Sequence, residues 1–156
     1  MKEANVAIRT EQQGDEEQIR QLMEESAAAM RARDAARLVA RYAPEIVQFS
    51  LAPPLRHTGS NVLDPEGLRR WFSGFDGPID YEIRDLAVTI GESVAFCHSL
   101  NRLSATPRGT AERFDLWFRS TIGLRKIDGR WRIAHEHMST PFYMDGTFGA
   151  AIDLKP

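Results

Sequence analysis

The chain of 156 residues has one cysteine, Cys97, which excludes any disulfide framework within it. It also lacks a charge excess of either sign. Twenty Lys plus Arg stand against 22 Asp plus Glu, a formal net charge of -2, which excludes the broad basic field needed to hold DNA or RNA. Nowhere do about 18 apolar residues run together, and the stretch from Met1 to Gln13 has no apolar signal-peptide core. The expectation is a cytoplasmic protein with neither nucleic acid nor membrane as partner. Motifs for nucleotides, flavin or haem are absent too, so no cofactor is expected. What is present is ordinary globular material, 42% hydrophobic and 27% charged, enough for a single domain that buries roughly two-thirds of its unfolded surface.

Asp15-Glu16-Glu17-Gln18 reads as a helix start, and Ile19, Leu22, Met23, Ser26, Ala27 and Met30 follow at helical spacing. Asp34 reads as a second N-cap, with Ala35, Leu38, Val39 and Tyr42 on the inner face of a short helix that breaks at Ala43-Pro44. Ile46 to Leu51 is a strand that pairs back, after Pro53-Pro54, with the piece around His57. Asp64-Pro65 opens a third helix with Leu68, Trp71, Phe72 and Phe75 as its apolar face.

Beyond Gly77-Pro78 the period becomes two. Ile79, Tyr81 and Ile83 share a face and Leu86, Val88 and Ile90 continue it out of phase, which predicts a bulge near Arg84-Asp85. Val94 to Leu100 is the next strand, Ala111 to Lys126 a long one, and Asp128-Gly129 a type I′ hairpin into Arg130–Ser139. The fold class is α+β: three N-terminal helices packed on a curved antiparallel sheet. Residues 1–14 are expected as a flexible segment, 15–142 as the domain, and 143–156 as an apolar tail docked on the domain or on a partner. A bent sheet wrapped round a helix leaves an open end where a pocket forms.

Several side chains in this frame suit chemistry. His135 and His137 leave one face of the last strand, and His98 sits at the same period as Phe96 and Leu100. Such imidazoles serve as general acid or base near neutral pH, or as core residues satisfied by neighbours; no local zinc motif supplies further ligands, so no metal site is assigned. On the long strand, Asp115, Trp117, Arg119 and Thr121 alternate with an apolar set. That is the composition of an amphipathic ligand wall and equally of a dimer surface. Phe49, Trp71 and Tyr81 are candidates for core or cavity walls. Ser26, Ser50 and Cys97 lack the partner spacing of a nucleophile.

Four segments carry a resemblance. They are Asp128-Gly129-Arg130-Trp131-Arg132-Ile133-Ala134-His135-Glu136-His137-Met138-Ser139-Thr140-Pro141, Met30-Arg31-Ala32-Arg33-Asp34, Gly59, and Trp117 to Thr121. Together they resemble SnoaL-like, ketosteroid-isomerase-related proteins of the nuclear-transport-factor-2-like (NTF2-like) superfamily, over residues 15–142. The closing strand is also similar to that of the calcium/calmodulin-dependent kinase II association domain. The resemblance implies a cone-shaped, cystatin-like fold. It also implies either a small-organic-ligand pocket of isomerase, dehydratase or cyclase type or a non-catalytic oligomerisation module. The Trp117/Arg119 strand face and the apolar tail lead to the expectation of a symmetric homodimer. The isomerase's tyrosine, base and protonated acid would fall near Ser26, Ser50 and Thr121 or Ile122, none of which carries the required group. The expected catalytic set is therefore His98, His135 and His137, with Phe49, Trp71, Tyr81, Asp115, Trp117 and Arg119 binding the ligand.

Overall fold

The computed structural model describes residues 2–156. The elements run α1 (Lys2–Arg31), α2 (Ala35–Ala40), β1 (Tyr42–Phe49), β2 (His57–Thr58), α3 (Ser60–Leu63), α4 (Pro65–Phe72), β3 (Phe75–Ile90), β4 (Val94–Pro107), β5 (Phe114–Ile127) and β6 (Arg130–Ser139). Four helices thus stand where three were expected. The first begins at Lys2 rather than at Asp15. Asp15 is a side chain in mid-helix, buried, where its carboxylate accepts from Trp131 Nε1 at 2.9 Å and pairs with Lys126 at 2.9 Å. A residue well suited to cap a helix has a stronger use here, because a buried indole N–H without an acceptor is costly.

The two other caps form as read. Asp34 accepts from the Arg37 N–H at 3.1 Å and Asp64 from the Glu66 N–H at 3.0 Å. The helix between Asp34 and Pro44 is shorter than the apolar spacing predicts: α2 stops at Ala40 and Tyr42 already belongs to β1. This change of element turns the Tyr42 side chain away from a helix face and towards the last strand.

The sheet is six-stranded, curved and unclosed, in the order β2-β1-β6-β5-β4-β3. All pairings are antiparallel except β1 with β6, which is parallel and amends the expected all-antiparallel sheet. β3 breaks register between Arg84 and Ala87, with Asp85 at a φ of 56°, so the bulge lies where the phase change put it. Asp128 and Gly129 both have positive φ, as a type I′ turn requires.

A second bulge was not foreseen. Leu124 pairs with Ile133 while the adjacent Gly123 pairs with His135, leaving Ala134 as an extra residue in β6. Trp131 and Ile133 point into the core before it; Glu136 is the buried residue after it.

The core divides in two. One cluster joins Ile19 and Met23 of α1 to Ala95, Cys97, Leu124 and Ile133 on the sheet; the other joins Ala29, Leu38 and Phe72 to Ile79, Leu103 and Phe118. The space between and beside them is not filled, and there the cavity lies.

Candidate functional site

The concave face of the sheet and the helices above it enclose a cavity of about 480 Å³. Its walls are mostly apolar: Met23 and Met30 from α1, Leu68 and Trp71 from α4, Phe75 and Ile83 from β3, and Phe114, Leu116, Phe118 and Ile122 from β5. Ser50 to Pro53 and His57 close one rim. Trp71, 38% exposed, stands edge-on to Phe75 with ring centroids 4.9 Å apart. Strand alternation makes the β5 wall, since every second residue from Phe114 faces in.

Two polar groups interrupt the apolar lining. The first is centred on Glu136, 8% exposed. Its Oε2 accepts from Tyr42 Oη at 2.9 Å and from Gln48 Nε2 at 2.6 Å. Its Oε1 has only the Arg41 guanidinium, at 3.9 Å. Arg41 is held by its own Nε donating to the Leu38 carbonyl at 3.1 Å and by Nη2 donating to Tyr42 Oη at 3.3 Å. Burial works against the Arg41 cation, but Tyr42 and then Glu136 outweigh it and hold its pKa above the ordinary arginine value. Burial, reinforced by the negative charge of Glu136, pushes the Tyr42 phenol well up. The carboxylate is thus fixed through one oxygen and leaves the other for the cavity.

The second group is Tyr81 with Asn101 and Ser99. Asn101 Nδ2 donates to Tyr81 Oη at 2.8 Å, and Ser99 Oγ donates to Asn101 Oδ1 at 2.7 Å. With Asn101 supplying a proton to its oxygen, the Tyr81 hydroxyl keeps its own proton for another acceptor. Burial, with Glu136 adding to it, pushes Tyr81 up to about 12. At neutral pH it is a donor and not a base.

Of the expected catalytic and ligand-binding residues, the cavity brings together only Trp71 and Tyr81. His98, His135, His137, Phe49, Asp115, Trp117 and Arg119 do not line it. On β4 the inward set is Ala95, Cys97, Asn101 and Leu103, so Phe96 and His98 face out. Both faces of that strand carry apolar residues, and Ala95 and Cys97 are the ones that join Ile19 and Met23 of α1 in the core. On β6 the Ala134 bulge reverses the phase, and Glu136 takes the inward place that Trp131 and Ile133 would otherwise hand to His135.

The two histidines are instead partners of Phe49, whose ring meets His135 and His137 edge-on at 5.0 and 5.4 Å, and His135 Nδ1 lies 2.9 Å from the Val47 carbonyl oxygen. Trp117 lies under the Arg84 guanidinium at 4.5 Å, and Asp115 pairs with Arg102 at 3.2 Å. Ser26, Ser50 and Ile122, where the isomerase's machinery would fall, do line the cavity. The isomerase's tyrosine and carboxyl groups are therefore not at those positions, and any carboxylate or phenol chemistry in the cavity rests on other residues.

Glu136, Tyr42, Gln48, Asn101 and Arg41 were missed, as was His57, the one histidine lining the cavity among the described residues. The signal for Glu136 was its place as the one acidic residue of β6, two residues before Met138, which lines the same cavity. Among the described residues, no group of three or more His, Cys, Asp or Glu is arranged to hold a metal, and no helix is long and apolar enough to cross a membrane.

The profile of the SnoaL-like domain matches residues 19–143. Among solved structures, an NTF2-like protein of unknown function from Pseudomonas putida is 33% identical, superposing with a TM-score of 0.80 over 92% of this chain and 98% of its own. A protein from Novosphingobium aromaticivorans provisionally described as a scytalone dehydratase is 16% identical, with a TM-score of 0.72 over 91% of this chain and 89% of its own. One from Xanthomonas campestris, provisionally described as a calcium/calmodulin-dependent protein kinase II association domain, is 17% identical, with a TM-score of 0.65 over 78% and 84%. No curated protein matches. The last two likenesses concern the fold alone, whereas the profile spans most of the chain; this protein belongs to the SnoaL-like domain family of the NTF2-like superfamily.

Proposed function

We propose that the cavity binds a small, largely apolar organic molecule with a carbonyl or hydroxyl group and acts on it by acid/base chemistry of the isomerase, dehydratase or cyclase type. One observation carries this reading: Glu136 is fixed through Oε2 and free of hydrogen bonds at Oε1, inside a mostly apolar chamber. The Oε1 atom takes a proton from carbon next to a carbonyl, while the Tyr81 O–H donates to the carbonyl oxygen as negative charge gathers there. Isomerisation returns the proton to another carbon; elimination sends it out on a departing hydroxyl as water. Catalysis by imidazoles is replaced in this reading by a carboxylate and a phenol. The chamber volume falls in the range of ordinary small-molecule sites.

The first test is native mass spectrometry of freshly purified protein before and after denaturation, followed by turnover assays on any retained organic mass. A retained ring compound converted by wild type and not by Glu136→Gln is the expected result. A chamber that takes up no organic mass from a metabolite pool would remove the proposal.

A second, non-catalytic reading, an oligomerisation module, is favoured by the outer sheet face and the tail. Phe96 is 50% exposed there, and Phe142 is 60% exposed although Ala150 bridges back to it. A homodimer through that face accommodates both readings, and an assembly larger than a dimer with an empty chamber would favour the second.

A further inference from the structure

On the far side of Arg41 from the chamber, the start of β6 meets α1 and α2 in a second cleft of about 370 Å³. Arg37 of α2, Arg130 and Arg132 of β6, and Arg41 between α2 and β1 all line it. Glu25 is the one acidic lining residue, and its Oε1 is occupied by Gln21 Nε2 at 3.0 Å. In a chain of net charge -2, this is a local gathering of cations.

Among the described residues, Arg37, Arg130 and Arg132 have no carboxylate within 4.0 Å. Arg132 donates to the Ala40 carbonyl, which leaves part of its fork free. Like charges converging on a concave surface repel each other unless an anion joins them, and guanidinium forks match the paired oxygens of a phosphate.

We propose that this cleft is a binding site for the phosphate group of a small metabolite, held by Arg37, Arg130 and Arg132. A dianion answers three unpaired cations better than a single carboxylate does, and the cleft has room for more of the molecule than its phosphate. Ser26 and Arg41 line both this cleft and the chamber. An anion on the outer side therefore competes with Glu136 for the Arg41 cation, which gives the cleft a route to influence the chamber without sharing its ligand.

The test is titration calorimetry with inorganic phosphate at neutral pH, with sodium chloride adjusted to hold ionic strength constant. Saturable binding is expected, weakened at least about tenfold in the Arg37→Gln/Arg130→Gln double variant. Arg130→Lys, which keeps charge and loses the fork, should fall between. Arg125→Gln, whose wild-type arginine pairs with Glu45 outside the cleft, and Trp71→Ala in the chamber should bind phosphate as wild type does. Circular dichroism of each variant reports that it is folded. Heat no greater than that from chloride, equal affinity in the double variant, or equal loss in Arg125→Gln would each overturn the assignment. Because Trp71→Ala disables only the chamber, failure here and failure of the chamber reading are separate results.

Discussion

The two faces of the sheet carry similar residue types and do opposite things with them. The inner face has Tyr81, Asn101, Ser99 and Glu136 among apolar walls, with the polar atoms joined by short hydrogen bonds that leave one carboxylate oxygen and one phenol proton over. The outer face has His98, His135, His137, Asp115, Trp117 and Arg119, where aromatic and charged groups stack on or pair with one another at the surface. The difference is not in chemical repertoire but in water. A charge held among apolar walls keeps its strength, whereas an exposed pair is worth little.

That contrast can be broken experimentally, most severely at Glu136. Glu136→Gln keeps an acceptor oxygen for Tyr42 and Gln48 but removes the proposed base, so turnover should fall by about 10²–10⁴-fold, while His98→Ala should leave it unchanged. Steady-state assays on the retained ligand compare the two, and equal losses would erase the distinction.

Stability gives the next largest effect. Ile133 is 0% exposed on the inner face, and Ile133→Ala should cost about 3 kcal/mol in urea unfolding. His135→Ala, two residues on but facing out, should cost about 1 kcal/mol or less.

Alkaline pH sharpens the comparison through Tyr81. Its phenol ionises near 10.0 when unfolded and near 12 when folded, so the unfolded chain loses its proton first. The stabilisation is whole below pH 10 and is lost as pH rises towards 12, on the order of 1–2 kcal/mol once the water admitted by the cavity is allowed for. Cys97, pushed up to about 11 by burial, adds to the same decline. Tyr81→Phe should flatten the curve of unfolding free energy against pH in that window, and an unchanged slope would place the phenol in contact with bulk water. The smallest effect is expected at His98. His98→Ala should shift ligand affinity by no more than about 0.5 kcal/mol, read by calorimetry.

The sequence exposed its fold more readily than its site. The α1 stripe from Ile19 to Met30, the bulge at Arg84-Asp85 and the turn at Asp128-Gly129 all rest on local rules of periodicity and backbone conformation, and they form as read. A site depends on which of two faces looks inward, and alternation states only that there are two. On β4 both faces carry apolar residues, and it is Ala95 and Cys97, not Phe96 and His98, that join the core cluster of Ile19 and Met23. On β6 the deciding factor was one extra residue, Ala134, which no apolar pattern marks. Tyr42 was hidden differently, because a six-residue helix and a strand meet within one continuous apolar spacing.

The imperfections of β3 have a further consequence. It is the outermost strand, 16 residues long, and a bare edge of that length is a template on which another chain could add by backbone pairing, but Arg31 and Arg20 of α1 already donate to its Tyr81 and Leu86 carbonyls. Pro78 offers no donor there, the register breaks twice, and Asp76, Asp80, Glu82 and Arg84 string charge along it. Another chain is thereby discouraged from adding to this edge by backbone pairing, so a sheet that is open in its hydrogen bonding is closed to extension into fibres on this side.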